Sequence, residues 1–100
     1  DDKNIVKLNG DFNFNANKKT LHHNGVLIEL SAKEIELVQC LVAHLNTYVS
    51  MEDIREQVWG DKEIDGADIR MHVLKIRQKT SNDFITSKRR VGYRIDAKKL

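Results

Sequence analysis

Gly66-Ala-Asp-Ile-Arg-Met-His-Val-Leu-Lys-Ile-Arg-Gln-Lys-Thr80, followed three residues later by Phe84-Ile-Thr-Ser-Lys-Arg-Arg-Val-Gly-Tyr-Arg-Ile95, is the stretch on which the fold turns. At about 100° per residue, Ile69, Val73, Ile76 and Thr80 share one stripe, which predicts a helix that buries it. Asp68, His72, Lys75 and Lys79 fall together on a second face, while Arg70, Leu74 and Arg77 line the other flank. Residues 84–87 and 93–95 read as strands around the basic turn Lys88-Arg89-Arg90, which predicts a hairpin. A helix with a cationic track can enter a DNA major groove. A cationic hairpin beside it can then meet the neighbouring backbone or minor groove. The expected fold is a DNA-binding winged helix.

Charge distribution supports this more than the total of +2 does. Residues 1–66 hold 7 Lys/Arg against 12 Asp/Glu, a balance of −5, whereas residues 67–100 hold 10 against 3, a balance of +7. Such a polar molecule presents one face to a polyanion. Solvated helix faces also carry Lys and Arg, so charge asymmetry leaves both readings open.

One hundred residues is about one domain. The expected organisation is a sheet at 1–29, a three-helix core at 31–80 and a wing at 83–96. There is no Pro, no internal repeat and no apolar run long enough to span a bilayer. The chain begins at Asp1 rather than Met, and the expectation is a domain of a longer protein. A single cysteine, Cys40, lies in an apolar helical stripe and reads as a small buried hydrophobe in a reducing compartment.

The front of the chain reads as four short strands: 5–8, 12–15, 20–22 and 26–28. Asn9-Gly10, Asn17-Lys18 and Asn24-Gly25 separate them, and Asn-Gly favours a tight hairpin because both residues tolerate positive φ. Ser31-Ala-Lys-Glu34 has the pattern of a capping box. Ile35, Val38, Leu41, Val42 and Leu45 then predict a helix over 32–45. Ser50-Met-Glu-Asp53 opens a second helix that runs to Trp59, with Ile54 and Val58 inward and Gly60 as its stop.

In this order the residues resemble the DNA-binding effector domain of OmpR/PhoB-type response regulators. The likeness is clearest over 21–95. It rests on Leu30-Ser31-Ala-Lys-Glu34, Val58-Trp59-Gly60, His72-Val73 with Lys75-Ile76-Arg77-Gln78-Lys79, and Gly92-Tyr93-Arg94. The resemblance implies an α+β winged helix-turn-helix, with an N-terminal four-stranded antiparallel sheet, three helices and a C-terminal β-hairpin wing. It implies a bacterial, cytoplasmic transcription regulator of a two-component phosphorelay, with a separate receiver domain. Such domains bind direct repeats in double-stranded DNA as tandem dimers, the third helix in the major groove and the wing in the minor groove. The loop at 60–65 is where some relatives contact RNA polymerase. Two departures stand out: Arg70 occupies a position that is often acidic, and Arg90 one that is often Gly.

Within that frame Lys75 is the first choice for a base contact, since Lys prefers guanine O6 and N7; a phosphate contact alone is the alternative. His72 is a candidate donor to a phosphate or base, or a plain surface histidine. Asp68 shares their face. Arg77 and Lys79 are phosphate contacts or intramolecular partners of acidic groups. Lys88, Arg89 and Arg90 suit a narrow minor groove, unless the turn is merely solvated. Tyr93 packs beneath the wing with its hydroxyl towards a phosphate, and Trp59 reads as a core anchor.

No His/Cys metal-ligand spacing, phosphate-binding glycine loop or nucleophile motif stands out, so neither an enzyme nor a metal or other cofactor is expected. The competing reading is a winged helix used for protein–protein contact. It would lose the cationic helix face or the Arg-rich wing, or expose apolar residues there. Met71 and Leu74 are the apolar candidates.

Overall fold

Turn chemistry organises the first third of the chain. In the computed structural model, which describes residues 4–60 and 62–99, β1 (Ile5–Leu8), β2 (Phe12–Asn15), β3 (Thr20–His23) and β4 (Val26–Ile28) form one antiparallel sheet in sequential order. Asn24 and Gly25, at φ 52° and 83°, close a two-residue hairpin between His23 and Val26. The other two turns differ from expectation in where the left-handed residues fall. In the first they are Gly10 and Asp11, and in the second Lys19. There the Asn15 side chain accepts from the amides of Asn17 and Lys18, both at 2.9 Å, and so folds the loop itself.

Three helices follow: α1 (Ala32–Val42), α2 (Met51–Ile54) and α3 (Gly66–Lys79). The Ser31 capping box forms in both directions. Helix α1 stops three residues before its expected end. The His44 amide returns to the Leu41 carbonyl, and Asn46, at φ 64°, donates to Ile95 instead of continuing the helix. Helix α2 widens into a π turn over Arg55–Trp59, which the sequence did not announce, before Gly60 ends it at φ 61°.

The hairpin is β5 (Thr86–Lys88) and β6 (Gly92–Arg94), with Lys88 opposite Gly92. Its tip is therefore Arg89-Arg90-Val91, one residue later than expected. Phe84 and Ile85, expected in the strand, are buried in the core. Residues 96–98 are more than a tail, because Asn9 donates to Asp96 and Lys98 to Lys7, which fastens the wing's exit strand to β1. Residues 1–3, Asp61 and Leu100, which belong to the expected domain, loop and tail, lie outside the described residues.

One core joins all layers: Leu8, Phe12, Phe14 and Leu21 from the sheet meet Leu37, Val38 and Leu41 of α1, Ile54 of α2, Ile69, Val73 and Ile76 of α3, and Phe84, Ile85 and Ile95 around the wing. Burying some twenty apolar side chains against water is what orients α3.

Candidate nucleic-acid interface

Helix α3 begins where the Asp65 carboxylate accepts from the Asp68 amide at 3.2 Å. The face bearing Ile69, Val73 and Ile76 is fully inward, as periodicity requires. What remains divides into two flanks and an outer stripe.

One flank leans on α1 and α2. His72 packs edge-on against Trp59, with ring centroids 5.1 Å apart, and its Nδ1 lies 2.7 Å from the Asp68 carbonyl. Lys79 Nζ lies 2.8 Å from Glu34 Oε1. Glu34 is only 3% exposed, and its Oε1 also accepts from the Ser31 amide at 2.9 Å. Burial pushes this carboxyl up. The Lys79 ammonium, the Ser31 amide and the more distant His72 outweigh it and hold the carboxyl below its ordinary value. The stability that this ionised group contributes is therefore present above the ordinary carboxylate range and lost as pH falls through the lowered folded value. Lys79→Met is expected to cost about 1–3 kcal/mol at neutral pH, because it leaves a buried carboxylate with the Ser31 amide but without its cationic partner. The gap from the unmodified chain should narrow in acid, where Glu34 is protonated in both. Urea titrations across pH test this, and a gap that does not change with pH would contradict it.

The other flank faces the wing. Arg77 donates through Nε and Nη2 to the Ile85 carbonyl, at 3.1 and 2.7 Å, and so braces the end of α3 against the base of the hairpin. Arg94 is likewise occupied: its Nε lies 2.8 Å from Asp96 Oδ1 and its guanidinium 4.5 Å above the Tyr48 ring. Between the start of α3 and the hairpin runs a cleft of about 440 Å³, whose charged lining is Arg70, Lys88, Arg89 and Arg90. Among the described residues, no carboxylate lines it. Tyr93 is buried at its floor, and its backbone pairs both ways with Val49, by Val49 N to Tyr93 O at 2.8 Å and Tyr93 N to Val49 O at 3.0 Å.

The outer stripe is Ala67, Met71, Leu74, Lys75 and Gln78, all exposed. Among the described residues, Arg70, Lys75, Arg89 and Arg90 enter no ion pair. The nine residues singled out from the sequence thus separate physically. Lys75, Lys88, Arg89 and Arg90 are exposed on or beside the outer surface, and Asp68 is exposed at the edge of α3. His72 and Arg77 are half-buried in contacts within the fold, Lys79 is exposed but tied through its ammonium to Glu34, and Tyr93 supports the wing. Arg70, Met71, Leu74 and Gln78, which are not among these nine, are exposed on the same side of α3. A sequence signal for this exposure was available, since Met71 and Gln78 lie diametrically opposite the Ile69–Val73–Ile76 stripe on a helical wheel.

Residues 25–95 match the model of the family described as "Transcriptional regulatory protein, C terminal". The chain belongs to this family. It is 30% identical over 97 residues to the putative epidermin response regulator of Staphylococcus epidermidis, which covers 93% of this chain and 47% of that protein. The chain thus spans less than half the length of this relative. The Thermotoga maritima response regulator DrrB, an OmpR/PhoB homolog, superimposes with a TM-score of 0.82 at 22% identity, covering 95% of this chain and 45% of that one. The DNA-binding domain of Bacillus subtilis CssR superimposes at 0.72 with 26% identity, over 84% of this chain and 98% of that domain. The OmpR/PhoB winged-helix architecture expected from the sequence is the one observed.

Arg90 carries a conformational cost at the wing tip of this family member. Its φ of 67° is left-handed, where a Cβ crowds the following carbonyl. Arg90→Gly is expected to stabilise the fold by about 1 kcal/mol, seen as a rise of about 4–8 °C in thermal midpoint. No rise, or a fall, would mean that the Arg90 side chain makes compensating contacts.

Proposed function

We propose that this chain binds double-stranded DNA sequence-specifically, as the effector domain of a two-component transcriptional response regulator. Helix α3 lies in the major groove, and the wing lies over the adjacent backbone and minor groove. The observation that carries the reading is the unbalanced cationic cleft of Arg70, Lys88, Arg89 and Arg90, continuous with the exposed outer stripe of α3. Cations without protein counter-charges are available to phosphates, and releasing condensed counterions drives such binding. Membership of the transcriptional regulatory C-terminal family supports it, as does the likeness to the CssR DNA-binding domain.

The action is binding without catalysis, in the bacterial cytoplasm; among the described residues no helix is long and apolar enough to cross a membrane. The sites are direct repeats occupied by a tandem pair of domains, and a receiver domain elsewhere in the parent protein controls their pairing. The loop at 60–65, with Glu63 and Asp65 exposed, is the proposed contact for RNA polymerase. Lys75 is proposed to reach base edges; Lys88, Arg89 and Arg90 are proposed to hold the backbone and minor groove.

Selection from a random duplex library, followed by salt titration of the winner and a scrambled duplex, tests this. Direct repeats should emerge, with a specific advantage of about a thousandfold and a steep salt slope. Equal, weak binding to both duplexes would instead favour a protein-docking role. The exposure of Met71 and Leu74 is the observation on that side.

A further inference from the structure

The outer stripe of α3 is not simply a polar surface carrying Lys75. Met71 and Leu74 stand 55% and 53% exposed at its centre, although the chain buries most of its other large apolar side chains. They sit at i and i+3 on one surface, with Ala67 a turn before and Gln78 a turn after. Apolar side chains left more than half in water at the middle of a helix add little burial to the fold. Their rim is cationic, made by Lys75 on the same stripe and Arg70, Lys88, Arg89 and Arg90 towards the wing, with Asp68 the one carboxylate on the edge of α3. An apolar centre inside a cationic rim is complementary to a polyanion that carries methyl groups inside its groove.

Resting on the DNA-binding reading above, we propose that Met71 and Leu74 read thymine methyl groups, so that the half-site facing α3 contains adjacent or next-but-one thymines. Of the four bases, only thymine presents a methyl group in the major groove, and apolar side chains are its natural partners. Along the helix axis the two residues are separated by about 4.5 Å, three steps of 1.5 Å. Base pairs stack at about 3.4 Å, so the pair spans one to two steps of one strand. Gln78, a turn further on, matches the N6 and N7 edge of adenine, and Lys75 matches guanine. Leu74, the stiffer side chain, discriminates more sharply, while Met71 adapts its three-bond chain to the groove.

The test begins with the duplex selected from a random library by this chain. Each thymine in the enriched half-site is replaced in turn by deoxyuridine, which keeps the pairing and loses only the methyl. Thymines outside the half-site serve as controls. Two half-site positions should each weaken binding about fourfold, the effect of withdrawing one buried methyl. Met71→Ala and Leu74→Ala should each bind the thymine and uridine duplexes equally at one of those positions, while keeping the salt slope of the unmodified chain. Both residues are exposed, so thermal midpoints should stay unchanged. A selected site that tolerates uridine everywhere would overturn the proposal and leave sequence-specific binding intact. So would variants that retain the methyl preference. Failure to enrich any site would remove the DNA-binding reading and this proposal with it.

Discussion

Gly92→Ala is expected to cost about 3–5 kcal/mol, a sum of backbone strain and steric overlap, and to loosen the wing from the helical core. Gly92 sits at φ 145°, outside the range L-residues adopt readily, and a Cβ there would overlap the Val49 carbonyl oxygen. That carbonyl cannot simply retreat. It accepts from the Tyr93 amide, and the Val49 amide donates back to Tyr93. Together these two bonds connect the hairpin to the segment that Ser50 caps into α2. Relieving the overlap means breaking one of them or tilting β6 away from its neighbour. Native domains are stable by only about 5–15 kcal/mol, so the loss is a large share of the total. Gly25→Ala is the control. Gly25 also has positive φ, at 83°, but open space around it, so it should lose only about 1 kcal/mol. Urea denaturation of both variants measures the contrast. A Gly92→Ala cost no greater than the control would mean that the Val49–Tyr93 bridge yields freely.

The parts of this fold that are legible in the sequence rest on contacts within about four residues. The Ser31–Glu34 box, the Ser50 cap, the Asn24-Gly25 turn and the inward stripe of α3 all belong to that class, and each forms as the local chemistry dictates. The features that escape are set by distant partners. Lys79 and Glu34 are 45 residues apart in the chain, so nothing near Lys79 reveals that its ammonium is occupied. Arg77 is satisfied by a carbonyl eight residues away, across a change of direction. The slip of the wing tip by one residue follows from Lys88 facing Gly92, a register that the tertiary seat of Gly92 on Val49 determines. At the candidate interface the consequence is specific. Counting charges groups Lys75 with Lys79, whereas the fold leaves the first in solvent and ties the second to a buried carboxylate.

That distinction sets the second large expectation. Replacing Lys88, Arg89 and Arg90 together by Ala should weaken binding to the selected duplex about a hundredfold near physiological salt. The estimate takes about 1 kcal/mol for each exposed charge pair, the upper end for such contacts. It should also flatten the salt dependence by close to three ion equivalents, since each phosphate contact contributes about 0.9 to the slope. Most of the loss should appear on specific and scrambled duplexes alike, because backbone contacts position the domain without reading sequence, and an additional loss on the specific duplex measures the minor-groove contact. Folding should survive, as all three side chains are exposed, and Lys88 gives up a 5.9 Å approach to the Tyr48 ring. Lys79→Ala removes a cation from the same basic half of the chain and supplies the comparison. Its ammonium already neutralises Glu34, so the salt slope should change by well under one unit while stability falls. The experiment is a set of salt titrations of each variant on both duplexes, read beside a denaturation curve. If Lys79→Ala flattened the slope as much per charge as the wing variant, the total charge of the basic half would govern binding. If the slope fell by about three for the wing alone, binding would depend on which cations the fold leaves without protein partners.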